Sequence, residues 1–160
     1  METGDHLTFA KKINGEVWEL LGKKDRSPAE DERMVHAAHA SLYHWLYAGT
    51  GINHQRGEWL IARVHILLGD PVLAERHTRR CLELTDEHAA EMQDFDFAFA
   101  HELAARTAAL TGDRARAAMF IEKARQAGAA IADPEDRKVF FDDFFGNPWF
   151  GVDPGTRLSV

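Results

Sequence analysis

The stretch Gly57–Leu84, GEWLIARVHILLGDPVLAERHTRRCLEL, decides the fold. Its apolar residues recur every three or four positions, stop at Leu68-Gly69-Asp70, and resume immediately after Pro71. Glycine just past an apolar-periodic run fits the left-handed position that closes a helix. The aspartate and proline that follow fit the cap and first position of a new helix. The same punctuation returns in Ala100–Ala127, AHELAARTAALTGDRARAAMFIEKARQA, at Gly112-Asp113. Two segments built this way read as antiparallel helical hairpins and place the chain in the all-α class.

Working outward, Phe9, Ile13, Val17, Leu20 and Leu21 mark a first helix over Asp5–Leu21. Ser27-Pro28-Ala29-Glu30 opens a second, with a hydroxyl cap, a proline at the first position and a carboxylate three after the cap. That helix runs to about Ala48, where Gly49–Ile52 interrupts it. Asn53 then caps a third reaching Leu68, and Pro71 opens a fourth ending near Leu84. Thr85–Asp94 holds few apolar residues and reads as a helical extension, a turn or both. Further helices span Phe95–Leu110, Arg114–Ala127 and Asp133–Phe145, the last stopped by Gly146-Asn147-Pro148. The apolar Trp149–Val152 is expected to dock back. About seven helices result, in one domain over residues 1–152 with a flexible tail at 153–160. No alternating β-branched run supports a strand.

Composition narrows the function classes. With 160 residues the chain accommodates one substantial core. A net charge of −7, with no long basic stripe to offset it, argues against nucleic acid as a partner. The start, METGDHLTFAKK, has no apolar run of signal-peptide type, and charges interrupt every apolar stretch, so no membrane association is expected. A single cysteine, Cys81, reads as a small core residue and fits a reducing compartment. Together these features predict a soluble, cytoplasmic protein. There is no nucleophile elbow, phosphate-binding glycine loop or dinucleotide fingerprint, and the carboxylates Asp94, Asp96, Asp142 and Asp143 form no marked catalytic set. An enzyme is therefore not the expectation.

Aligned on Gly-Asp, the two hairpins share small residues at matching places: Ala62 with Ala105, Ala74 with Ala117, and Cys81 with Ala124. Helices that cross closely need small side chains where their backbones approach. Over residues 55–127 this pattern resembles the tetratricopeptide (TPR) repeat family. The resemblance implies a right-handed stack of antiparallel hairpins whose first helices line a concave groove. Carried onto this chain, that groove presents Arg56, Trp59 and Arg63 from one unit and Phe99, Glu102 and Arg106 from the next. Arg63 and Arg106 hold equivalent positions, and their guanidinium groups suit a carboxylate or phosphate. The family repeats every 34 residues or so; here the two turns lie 43 apart, with the excess falling in Thr85–Asp94.

Nine histidines is a high count for this length. His36 and His39 lie three apart on one helix and are candidates for a shared ion, but a metal site needs at least a third ligand, and spacing supplies none. No metal and no cofactor is therefore predicted. The repeat alignment instead places His65 and His101 so that they meet as a buried pair. Val139–Phe145 carries four phenylalanines, a broad apolar face suited to capping the stack or to forming a homodimer through Phe140–Phe145. The leading functional reading is a protein-interaction module that takes a peptide or acidic group. The alternatives are a small-molecule or metal-binding sensor using histidines with Arg63 and Arg106, and a ligand-free homodimerising domain.

Overall fold

The computed structural model describes residues 1–157. Among them are seven α-helices and no strand: α1 (Thr3–Gly22), α2 (Pro28–Ala48), α3 (Gly51–Leu68), α4 (Pro71–Glu87), α5 (Asp94–Thr111), α6 (Arg114–Ala129) and α7 (Pro134–Gly146). Thr85–Asp94 resolves into both expected parts, since α4 continues to Glu87 and a 3-10 turn follows over Ala89–Glu91.

The punctuation acts as its chemistry requires. Gly69 has φ 72° and Gly112 φ 85°, a region that side-chain-bearing residues rarely adopt. In that conformation Asp70 N–H reaches the His65 carbonyl and Asp113 N–H reaches the Ala108 carbonyl, both at 2.9 Å. Each aspartate then accepts from an amide of the next helix, Leu73 N at 3.1 Å and Arg116 N at 3.0 Å. Ser27 and Glu30 form the reciprocal cap expected at the start of α2.

The chain divides into two compact units, Met1–Glu91 and the residues from Met92 onward. In the first unit α1 packs on α2, α2 on α3 and α3 on α4. Val17 and Leu20 of α1, Met34, Ala38 and Leu42 of α2, and Leu60, Ile61 and Val64 of α3 make its apolar core. Between α3 and α4 the packing relies on Ala62, Ala74 and Cys81, all fully buried. A polar layer joins them, with Gln55 Nε2 donating to Thr85 Oγ1 at 3.0 Å.

In the second unit α5 packs on α6, and both carry α7. Ala98, Ala105, Ala117, Ile121 and Ala124 form the floor on which Phe140, Phe144 and Trp149 are buried. Arg106 organises the far end. Its guanidinium pairs with Glu102, donates to the carbonyls of Asp143 (3.1 Å), Phe144 (2.8 Å) and Pro148 (2.7 Å), and lies 4.1 Å over the Trp149 ring. The last carbonyls of a helix lack partners within it and carry partial negative charge. A buried cation placed there satisfies both needs of α7.

Not every large apolar residue is inside: Leu46 and Leu67 are 58% and 41% exposed. Residues 153–157, at the start of the segment expected to be a flexible tail, make polar contacts within the second unit. Arg125 donates to the carbonyls of Pro154 (3.1 Å) and Thr156 (2.9 Å), and Arg157 pairs with Asp142 at 2.6 Å. The remainder of the expected tail, 158–160, lies outside the described residues.

Two substitutions test this packing. Ala117→Leu adds three carbons at a fully buried crossing and is expected to cost about 1–3 kcal/mol in chemical denaturation. Arg106→Ala strips the buried Glu102 carboxylate of its arginine and is expected to cost about 3–5 kcal/mol. A change below about 1 kcal/mol in Arg106→Ala would show that the C-terminal segment is held by other means.

Candidate metal centre

Within the first unit α3 packs against both α2 and α4, so a residue on α3 can have neighbours from both. His65 of α3 is buried, His77 of α4 half-buried and His39 of α2 exposed. One ring nitrogen from each lies within 4.8 Å of the other two. The ring centroids are 5.2 Å apart for His39–His77, 6.0 Å for His65–His77 and 6.1 Å for His39–His65, and the His65 and His77 rings are nearly parallel at 9°. The local sequence explains the gathering. Ala62 stands three residues before His65 and Ala74 three before His77, and both alanines are fully buried. Small side chains let the two helix backbones approach, which brings the following histidines together.

Carboxylates back the cluster. Glu58, on α3, holds its Oε2 2.7 Å from His77 Nδ1. An ionised carboxylate only accepts, so Nδ1 is the nitrogen that donates to Glu58 and Nε2 is the one left to face another partner. Asp70 Oδ2 lies 3.9 Å from His65 Nδ1. On the other side of that ring, His65 Nε2 is buried and has no hydrogen-bond partner. Such an atom carries a penalty of about 1–3 kcal/mol.

Electrostatics disfavour the charged form of two of these rings, His39 and His65. Burial pushes the His39 pKa down, His77, His65 and His36 push it further, and Glu58 opposes. Burial also lowers His65, reinforced by His77 and opposed by Asp70. Neutral imidazoles with available lone pairs are what a metal ion requires.

The residues singled out in the sequence fall into several groups. Of the two metal candidates, His39 belongs to the cluster; His36 sits one turn earlier on α2, its side chain 77% exposed and 3.9 Å from Glu32. Trp59 stacks with Trp18 at 5.9 Å, Arg63 lies 5.9 Å from the Trp59 ring, and Arg56 is exposed. Phe99 packs edge-on against Phe140 at 5.1 Å. Glu102 and Arg106 are not groove residues, since both are fully buried and bonded within the second unit. Of the two residues expected to pair, His65 lies beside His39 and His77 within the first unit, and His101 lies 6.1 Å from Phe120 within the second. A further pair, His6 and His44, has Nδ1 atoms 2.9 Å apart but supplies only two imidazoles.

His77 was missed because it sits in the charged run Arg76–Arg80, which reads as a solvated helix face. The signal was the repeated Ala-x-x-His of residues 62–65 and 74–77 on either side of the turn. Comparison with family models, with curated proteins and with solved structures finds no match to this chain.

The lowered histidines set a pH dependence. Below about pH 6.5 the unfolded chain takes up protons that folded His39 and His65 resist. Stability is therefore full above that value and declines as pH falls through the folded pKa values. Denaturation in a chelating buffer between pH 8 and 5 should show this slope, and His65→Gln should flatten it. An unchanged slope in that variant would assign the effect to other groups.

Proposed function

We propose that this is a metal-binding protein that holds one divalent transition-metal ion on His39, His65 and His77. The observation that carries this reading is His65 Nε2, a buried donor with no hydrogen-bond partner beside two further imidazoles. A lone pair buried without a partner destabilises the fold; an ion coordinated there turns that cost into a bond. The Glu58–His77 contact supports the reading, since metal-bound imidazoles regularly give their second nitrogen to a carboxylate. Three nitrogens favour zinc, cobalt, nickel or copper(II), and disfavour magnesium and calcium, which take oxygen ligands. The ligands come from three helices, so the ion would cross-link α2, α3 and α4.

A second reading keeps the TPR-like interaction module. Its support is the stacked pair Trp18 and Trp59 with Arg63 alongside, an aromatic and cationic surface suited to an acidic peptide.

Calorimetric titration of chelator-treated protein with zinc should give one ion per chain. Thermal stability should rise with free zinc, by about 2.7 kcal/mol at a hundredfold excess over Kd. His65→Ala and His77→Ala should each abolish both effects while the far-ultraviolet spectrum stays helical. Absence of stoichiometric binding, or binding indifferent to both substitutions, would overturn the proposal.

A further inference from the structure

We infer that His36 is the fourth ligand, swinging onto the ion from the preceding turn of α2 to complete an all-histidine tetrahedral shell. This rests on the triad reading above. Structural zinc sites are almost always four-coordinate, and His39, His65 and His77 supply three donors. His36 and His39 are three apart on α2, where β-carbons are about 5–6 Å from each other. Residues three apart on a helix share a face, so a change of rotamer is the movement His36 needs to approach the ion held by His39.

His36 is free to move. Its side chain is 77% exposed, and its 3.9 Å approach to Glu32 is beyond hydrogen-bond length. Turning an exposed imidazole from one staggered rotamer to another costs little. The other donors close in sequence or space are committed. Glu58 is bonded to His77, and Asp70 caps α4 through Leu73 N. The Cys81 thiol, one turn beyond His77, accepts from Gln55 at 3.5 Å. Tyr43, one turn after His39, is bonded to Tyr47 in a way that raises its pKa, so it stays a neutral phenol and a poor ligand.

Cobalt(II) titration followed by visible absorption tests this, with azide as the probe for an open coordination position. The wild-type protein should give an intense tetrahedral spectrum that azide does not change. His36→Ala, a substitution on an exposed helix face, should keep the fold, weaken cobalt and zinc binding by about tenfold or more, and acquire an azide-dependent spectral shift. If His36→Ala binds as tightly as wild type and azide shifts the wild-type spectrum, the fourth ligand is solvent and the inference fails while the triad stands. If wild-type protein binds no cobalt, the triad fails and His36 with it.

Discussion

The close crossing of α3 and α4 is the constraint on which the first unit's chemistry depends. Two conditions produce it. Gly69 turns the chain within one residue because it can adopt a positive φ, and Asp70 begins the next helix at once. Ala62 and Ala74, fully buried, then leave space for the backbones to approach. With larger residues at either alanine the helices would separate, and His65 and His77 could not stack. The carboxylate of Glu58 reaches His77 across the same narrow gap. The hairpin thus supplies two of the three clustered imidazoles and the acid that orients one of them, and α2 adds the third.

The second unit solves a different problem with the same turn. Gly112 and Asp113 set the α5–α6 hairpin, but α7 then ends against it with several carbonyls that no amide of its own helix can reach. Arg106 answers two of those carbonyls, Asp143 and Phe144, together with that of Pro148 just beyond the helix, and Trp149 Nε1 adds a donor to the Phe144 carbonyl at 2.9 Å. Burial of so large a cation is tolerable because Glu102 accompanies it, each of its three nitrogens finds an acceptor, and the Trp149 ring lies against its face. Arg106 therefore acts as an internal cap for an element well over thirty residues away in the chain.

Helices were legible because their signals are local. Glycine and aspartate at the two turns, the Ser27–Glu30 box, and proline at the first positions of α2, α4 and α7 all act within four residues. Long-range placement was not legible. Arg63 and Arg106 occupy matching places in the two hairpins, yet one lies beside Trp59 near the surface and the other is buried under α7. Nothing local distinguishes them; the difference comes from α7, which has no counterpart in the first unit. The histidine cluster failed in sequence for a related reason. His39, His65 and His77 come from three helices, and spacing rules recognise ligands only when two or more share one helix or loop.

The chemistry of the cluster's donors has a further consequence. Imidazole does not oxidise under conditions that convert thiolates to disulfides or sulfenic acids. The chain's single sulfhydryl, Cys81, is buried in a polar layer with Gln55 and Thr85. If the proposed ion binds there, an all-imidazole shell would not respond to the thiol–disulfide balance of its surroundings, and occupancy would follow acidity and metal supply instead.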